Sequence, residues 1–238
     1  MLSLEQQNAL RDAYRQANPG WRPATELYAA VVQAHLWPGA RVLDLGCGRG
    51  GLVEQLDHPL SQVVGLDPDW HSLREHRLDL PRTVATSEHL PFADACFDVI
   101  FASWVLEHLP RPLLTFQAVN RVLRPGGVFI FITPNGRHPL VWLNRGISRF
   151  ARLQAHLVER LYGRHSDDTF PAYYRANASP RLRRLSRKSN FTLDELHCIP
   201  DPTYLAFTPT LFRLMSRLEQ WLPDERKLHL VGTLKRKT

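Results

Sequence analysis

Cysteine and methionine are scarce in this 238-residue chain, with three and two copies. No uncharged apolar stretch approaches the roughly 18 residues that a membrane span requires. Cys47, Cys96 and Cys198 are odd in number and far apart, which excludes a disulfide framework and gives no zinc-ligand spacing. A reducing cytoplasm is therefore the expected compartment. The opening MLSLEQQNALRDAYRQ has neither the basic start nor the apolar run of an export signal. Its Leu4, Leu10 and Tyr14 predict a short amphipathic helix instead. Internal repeats and low-complexity linkers are also missing. A composition of 44% hydrophobic and 22% charged residues suits a soluble globular chain large enough to bury one sizeable core.

Acid is short in the back of the chain. Residues 1–134 carry eleven basic and fourteen acidic side chains, whereas residues 135–238 carry nineteen basic and nine acidic. The net charge of +7 is thus concentrated in the last hundred or so residues. Such a bias fits an anionic partner, or an arginine-rich face that meets only solvent. No RNA-binding motif accompanies the arginines, which disfavours nucleic acid. An anionic or amphipathic small molecule and peripheral contact with a membrane both remain compatible.

What is present is an alternation. ARVLDLG, SQVVGLD, CFDVIFAS and GVFIFITPN are apolar runs closed by glycine, acid, serine or proline–asparagine. Between them LVEQLDHPL, WHSLREHRL and PLLTFQAVNRVLRPGG have apolar residues at three- and four-residue spacings. This predicts an α/β fold with a mostly parallel sheet and helices on both faces. In such a sheet ligands gather at the carboxyl ends of the strands, which puts Gly46, Asp67, Ser103 and Asn135 at one edge. The rhythm changes after Asn135. The expected division is a helical cap at 1–39, a cofactor-binding core at 40–135, a helical insertion or lid at 136–190, and closing strands with a helix at 191–238. FTLDELHCI and LHLVGTLKRK read as strands, and TPTLFRLMSRLEQWL reads as a helix with a Thr-Pro start.

The stretch VLDLGCGRGG, Val42 to Gly51, carries the chemistry. Glycines at 46, 48 and 50 let something approach the backbone. By letter GCGRGG fits G-x-G-x-x-G, and Asp67, at the end of the next strand, is placed to accept from ribose hydroxyls. Those features suit NAD and S-adenosylmethionine alike. Asp44 separates them, because a carboxylate beneath the loop repels a pyrophosphate and favours an ammonium or sulfonium by roughly 1 kcal/mol or more. A helix beginning at Gly50–Gly51 would favour a ligand carboxylate.

VLDLGCGRGG, VVGLDPD, SEHLPFADACFDVIFASWVLEHL and RVLRPGGVFIFITPN occur in this order across residues 40–135. Together they resemble class I S-adenosylmethionine-dependent methyltransferases, specifically the methyltransferase type 11 group. The resemblance implies a Rossmann-like, doubly wound, seven-stranded sheet with a helical insertion after the fifth strand. It implies that Asp44, Gly46, Cys47 and Gly48 line the methionine end of the cofactor, Cys47 mainly through its backbone and small size. Asp67 would hold the ribose, Pro68 would lie beside the adenine, and Thr86, Ser87 and Glu88 would meet the adenine edge. Ser103 would contribute backbone at the end of the fourth strand. Two positions depart from the pattern. Thr86 stands where relatives commonly have Asp, and a neutral acceptor is weaker than a charged one. In WVLEHL, Trp104 replaces the first Glu of a metal-holding Glu-x-x-Glu-His run, so no metal is expected.

A hydroxyl acceptor calls for a base. His108, just past a strand end, is the first choice and His138, after TPN, the second. His165, Asp167, Asp168 and the Tyr173–Tyr174 pair are further acceptor-side positions, while Tyr14 and Trp21 suit either the cofactor or the core. The expected function is methyl transfer to a small molecule, at oxygen or carbon, with a lipid, quinone precursor or sugar as acceptor. The alternatives are an NAD-dependent dehydrogenase and a non-catalytic protein that binds the cofactor.

Overall fold

A computed structural model describes residues 4–148, 170–203 and 208–238. Seven strands form one sheet: β1 (Val42–Leu45), β2 (Val63–Asp67), β3 (Arg82–Val84), β4 (Phe97–Ser103), β5 (Leu123–Pro134), β6 (Phe191–Ile199) and β7 (His229–Arg236). Their order is β3-β2-β1-β4-β5-β7-β6. The first five are parallel, and β7 lies antiparallel between β5 and β6. Strand order reverses between β1 and β4, which opens a crevice at their carboxyl ends. The described helices are α1 (Leu4–Ala17), α2 (Ala24–Ala34), α3 (Trp70–Arg74), α4 (Pro112–Val122), α5 (Pro139–Ser148), α6 (Ser179–Lys188) and α7 (Pro209–Trp221). None is long and apolar enough to cross a membrane.

Strand alternation sorts the core into two layers. Leu43, Leu45, Ile100, Phe129 and Phe131 face α4 and α6, packing with Phe116, Val119 and Leu182. Val42, Val99, Phe101 and Ile130 face the other way, against Tyr28 and Val32 of α2. Each fully buried phenylalanine contributes about 1.5–3 kcal/mol. Gly232 on β7 leaves the room that Phe131 fills, since a Cβ there would lie 2.5 Å from its ring.

Four local features differ from the sequence reading. LVEQLDHPL forms only two 3-10 turns, Leu52–Gln55 and Leu60–Gln62, because Pro59 interrupts a segment already too short for a helix. The expected helix start at Gly50–Gly51, with its pull on a carboxylate, therefore does not exist. WHSLREHRL yields a single turn and a half, α3, capped by the Asp69 carboxylate, which accepts from His71 and Ser72 N–H. RTV, the short strand β3, escaped notice because three residues behind Pro81 show no period. Finally, RPGG lies inside β5 as an irregularity: Phe97 pairs with Leu123 but Val99 with Val128. Gly127 is required there, with a hypothetical Cβ only 2.9 Å from the carbonyls of Arg124 and Asp98.

After β5 the chain leaves the sheet and returns to the same point. Gly136 N–H donates to the Asn177 carbonyl at 2.6 Å, and Asn177 Nδ2 donates to Pro134 O at 3.2 Å. His165, Asp167 and Asp168 lie outside the described residues, as does much of the expected lid.

Candidate active site

Two cavities open at the carboxyl edge of the parallel strands. The larger, about 610 Å³, runs past Gly48, Asp67, Pro68 and residues 86–89 to His108, Arg111, Phe170 and Tyr173. The smaller, about 270 Å³, lies over Asp44 between the glycine loop and Tyr28 of α2. Together they have the size of a nucleoside-bearing ligand with room beside it.

The glycine loop is held by its own hydrogen bonds. Gly46 and Cys47 N–H both donate to Leu66 O, at 2.7 and 3.1 Å, and Gly50 N–H donates to Cys47 O at 2.9 Å. Gly48 N–H donates to Asp67 Oδ2 at 2.9 Å. These four amides are thus engaged within the chain. Gly46 has φ +78°, and a Cβ there would overlap Val105. The buried Cys47 thiol instead points at β2, where only Gly65 fits beneath it. Burial pushes that thiol's pKa far up, so it packs and does not react.

The two acids differ in how they are satisfied. Asp67 accepts from Gly48 N–H and, through Oδ1, from Asp69 N–H at 2.8 Å. Burial raises its pKa, and those two amides offset part of the rise. Fixed in this way, the carboxylate retains lone pairs for a diol. Asp44 is 4% exposed, and no hydrogen bond supports its charge among the described residues. Burial, and secondarily the charge of Asp67, lift its pKa to about 8. A buried acid in that state gains from any cation that enters the smaller cavity. Above it Ser103 Oγ donates to Tyr28 Oη at 3.1 Å.

At the far end of the larger cavity Thr86 Oγ1 lies 3.3 Å from His89 Nδ1, and Ser87 Oγ lies 3.0 Å from Thr115 Oγ1. Ser87 is thus tied to α4. The Glu88 side chain, 6% exposed, pairs with Arg111, and its Oε1 has no partner among the described residues.

His108 Nδ1 lies 3.1 Å from the Pro171 carbonyl. A carbonyl only accepts, so Nδ1 carries a proton, and Nε2 makes no hydrogen bond among the described residues. The ring also meets Phe170 edge-on at 6.2 Å. Glu107 turns inward, accepting from Thr133 Oγ1 at 2.8 Å, while its carbonyl receives Tyr173 and Tyr174 N–H. It anchors the returning chain and is not presented to a metal. His138 belongs elsewhere. It is fully buried, lines neither cavity, accepts at Nδ1 from Leu140 N–H at 3.2 Å, and has Nε2 3.4 Å from Glu219 of α7. The second choice for a base is thus corrected to a packing residue that joins α5 to α7. Tyr14 and Trp21 likewise pack on each other, 4.9 Å apart.

Sequence reasoning missed Tyr28, Arg111 and Phe170. Tyr28 sits in an ordinary apolar helix pattern, and Phe170 reaches the cavity only because the insertion returns to Glu107.

Residues 43–131 match the family model described as a methyltransferase domain. A ubiquinone biosynthesis O-methyltransferase of Sodalis glossinidius is 35% identical over 113 residues, covering 44% of this chain and 45% of that protein. The protein of the same name from Nitrosococcus oceani is 32% identical over 167 residues, 66% of each chain. In the first such relatives the matched region spans about half of their length. Among solved structures, an S-adenosylmethionine dependent methyltransferase from Mesorhizobium loti has a TM-score of 0.55 at 19% identity, covering 90% of this chain and 98% of that one. That last likeness concerns the fold alone.

Proposed function

We propose that this chain, whose residues 43–131 match a methyltransferase-domain model, is a class I S-adenosylmethionine-dependent methyltransferase that methylates a hydroxyl of a small amphipathic acceptor. The observation that carries this reading is the tethered His108, whose bare Nε2 lines the same cavity as the ribose-holding Asp67. Bound S-adenosylmethionine supplies an electrophilic methyl group. Asp44 faces the ammonium end, Asp67 takes the ribose hydroxyls, and Pro68, Thr86 and Glu88 border the adenine. Gly46, Cys47 and Gly48 shape the loop so that the ligand can lie against backbone. His108 withdraws the proton from an acceptor hydroxyl. Phe170 and Tyr173 offer apolar walls, Arg111 lines the cavity, and Arg175 lies over the Tyr173 ring at 5.4 Å. That lining suits a hydroxylated aromatic ring carrying an anion. The name of the O-methyltransferase relatives supports the same choice.

Calorimetry tests the cofactor. S-adenosylmethionine and S-adenosylhomocysteine should bind in the micromolar range and NAD should not bind; the opposite pattern restores the dehydrogenase reading. Asp67→Ala should weaken both adenosyl ligands about tenfold, as expected for loss of hydrogen bonds to a charged acceptor. Unchanged affinity removes Asp67 from the ribose.

Thr86 gives a smaller effect. Thr86→Asp should tighten S-adenosylmethionine about fivefold and Thr86→Val should weaken it about threefold. Equal affinity in all three proteins means that the adenine is read by backbone.

A further inference from the structure

We propose that Trp104 distinguishes the charged cofactor from its neutral demethylated product, an inference that rests on the cofactor reading above. Gly46, Ser103 and Trp104 border both cavities. Gly46 offers only backbone, and the Ser103 hydroxyl is engaged with Tyr28. Trp104 is therefore the large side chain at the junction. A ligand with its ammonium at Asp44 and its ribose at Asp67 spans that junction, and the atom between its two ends is the sulfur.

The ring is held there by several constraints. Trp104 has φ +60°, a conformation uncommon for a bulky residue and kept only where the surroundings over-determine it. Its N–H donates to Ile132 O at 3.0 Å. Its indole meets His229 edge-on, 5.1 Å between centroids at 68°, and packs on the core layer beneath α2.

An indole attracts a sulfonium through its electron-rich face and has no comparable pull on a thioether. Asp44 cannot make this distinction as well, because the ammonium it faces is common to both molecules. The attraction is present before transfer and gone after it, so Trp104 does not lower the chemical barrier. It favours loading of cofactor and departure of product.

Calorimetry with S-adenosylmethionine and S-adenosylhomocysteine on wild type, Trp104→Phe and Trp104→Leu tests the assignment. Trp104→Leu should reduce the preference for the charged ligand about fivefold, with Trp104→Phe intermediate. Affinity for S-adenosylhomocysteine should change less than about twofold. The wild-type minus Trp104→Phe difference in tryptophan emission should respond to the charged ligand and not to the neutral one, a readout that survives if the leucine variant does not fold. Equal losses for both ligands, or an unchanged ratio while wild type binds both, overturn the proposal. A wild type that binds neither overturns the cofactor reading instead.

Discussion

His108→Asn should cut turnover of a dihydroxybenzoate probe about a hundredfold while leaving the dissociation constant of S-adenosylmethionine within about twofold. The magnitude is that of a lost general base. Asparagine is the informative replacement because its amide can still donate to Pro171 O, as His108 Nδ1 does now, yet it has no counterpart of Nε2. Turnover within about fivefold of wild type would assign proton removal to solvent. A matching loss of cofactor affinity would make His108 a wall of the cavity and nothing more.

Asp44→Asn should have opposite effects on the free and the loaded protein. In the free fold the carboxyl group titrates at about 8, against 3.8 in its unperturbed state. The folded protein therefore holds an extra proton between those values, and stability is lost as the pH rises through that window. Asparagine resembles the protonated acid, so the variant should melt above wild type at pH 8.5, and the two should converge near pH 4. Cofactor binding should move the other way. An ammonium pairs with the ionised acid, so wild-type affinity should climb as the pH approaches 8, and the variant should bind about thirtyfold more weakly at the top of that range, with little pH dependence. Differential scanning fluorimetry and calorimetry across the same buffers check both halves. A variant less stable than wild type at pH 8.5 would mean that Asp44 is ionised and satisfied in the free protein.

Much of this was readable from the chain because apolar strands and glycine turns are local signals. VLDLG, VVGLD, FDVIFAS and GVFIFITP became β1, β2, β4 and β5, and the Thr-Pro start of α7 is capped by Thr208 as expected. Asp44, Asp67 and His108 could be placed at one edge from the sequence, because strand ends converge on one edge of a parallel sheet. The misses have physical causes. Pro59 breaks a helical pattern whose spacing alone looked adequate, and β3 is too short for any period. His138 follows a strand as closely as His108 does. What separates them is tertiary: His108 meets the returning chain at Pro171, while His138 is buried against Glu219 of α7, 81 residues later in the sequence. The contribution of Tyr28 depends on α2 folding over β1, and no residue near it in sequence announces that contact.

The bond between Gly136 and Asn177 has an evolutionary consequence. The chain departs and comes back beside itself there, at a separation of 2.6 Å, and the end of the returning segment is tied again where Tyr173 and Tyr174 N–H donate to Glu107 O. Because loop closure grows only slowly more costly with length, the intervening stretch is free to lengthen, shorten or be exchanged while strand register stays the same. Asp44, Asp67 and the glycine loop all precede it, whereas Phe170 and Tyr173 belong to it. On the proposed reading, the apolar walls that Phe170 and Tyr173 offer an acceptor can change with the insertion, while Asp44, Asp67 and His108 stay in place.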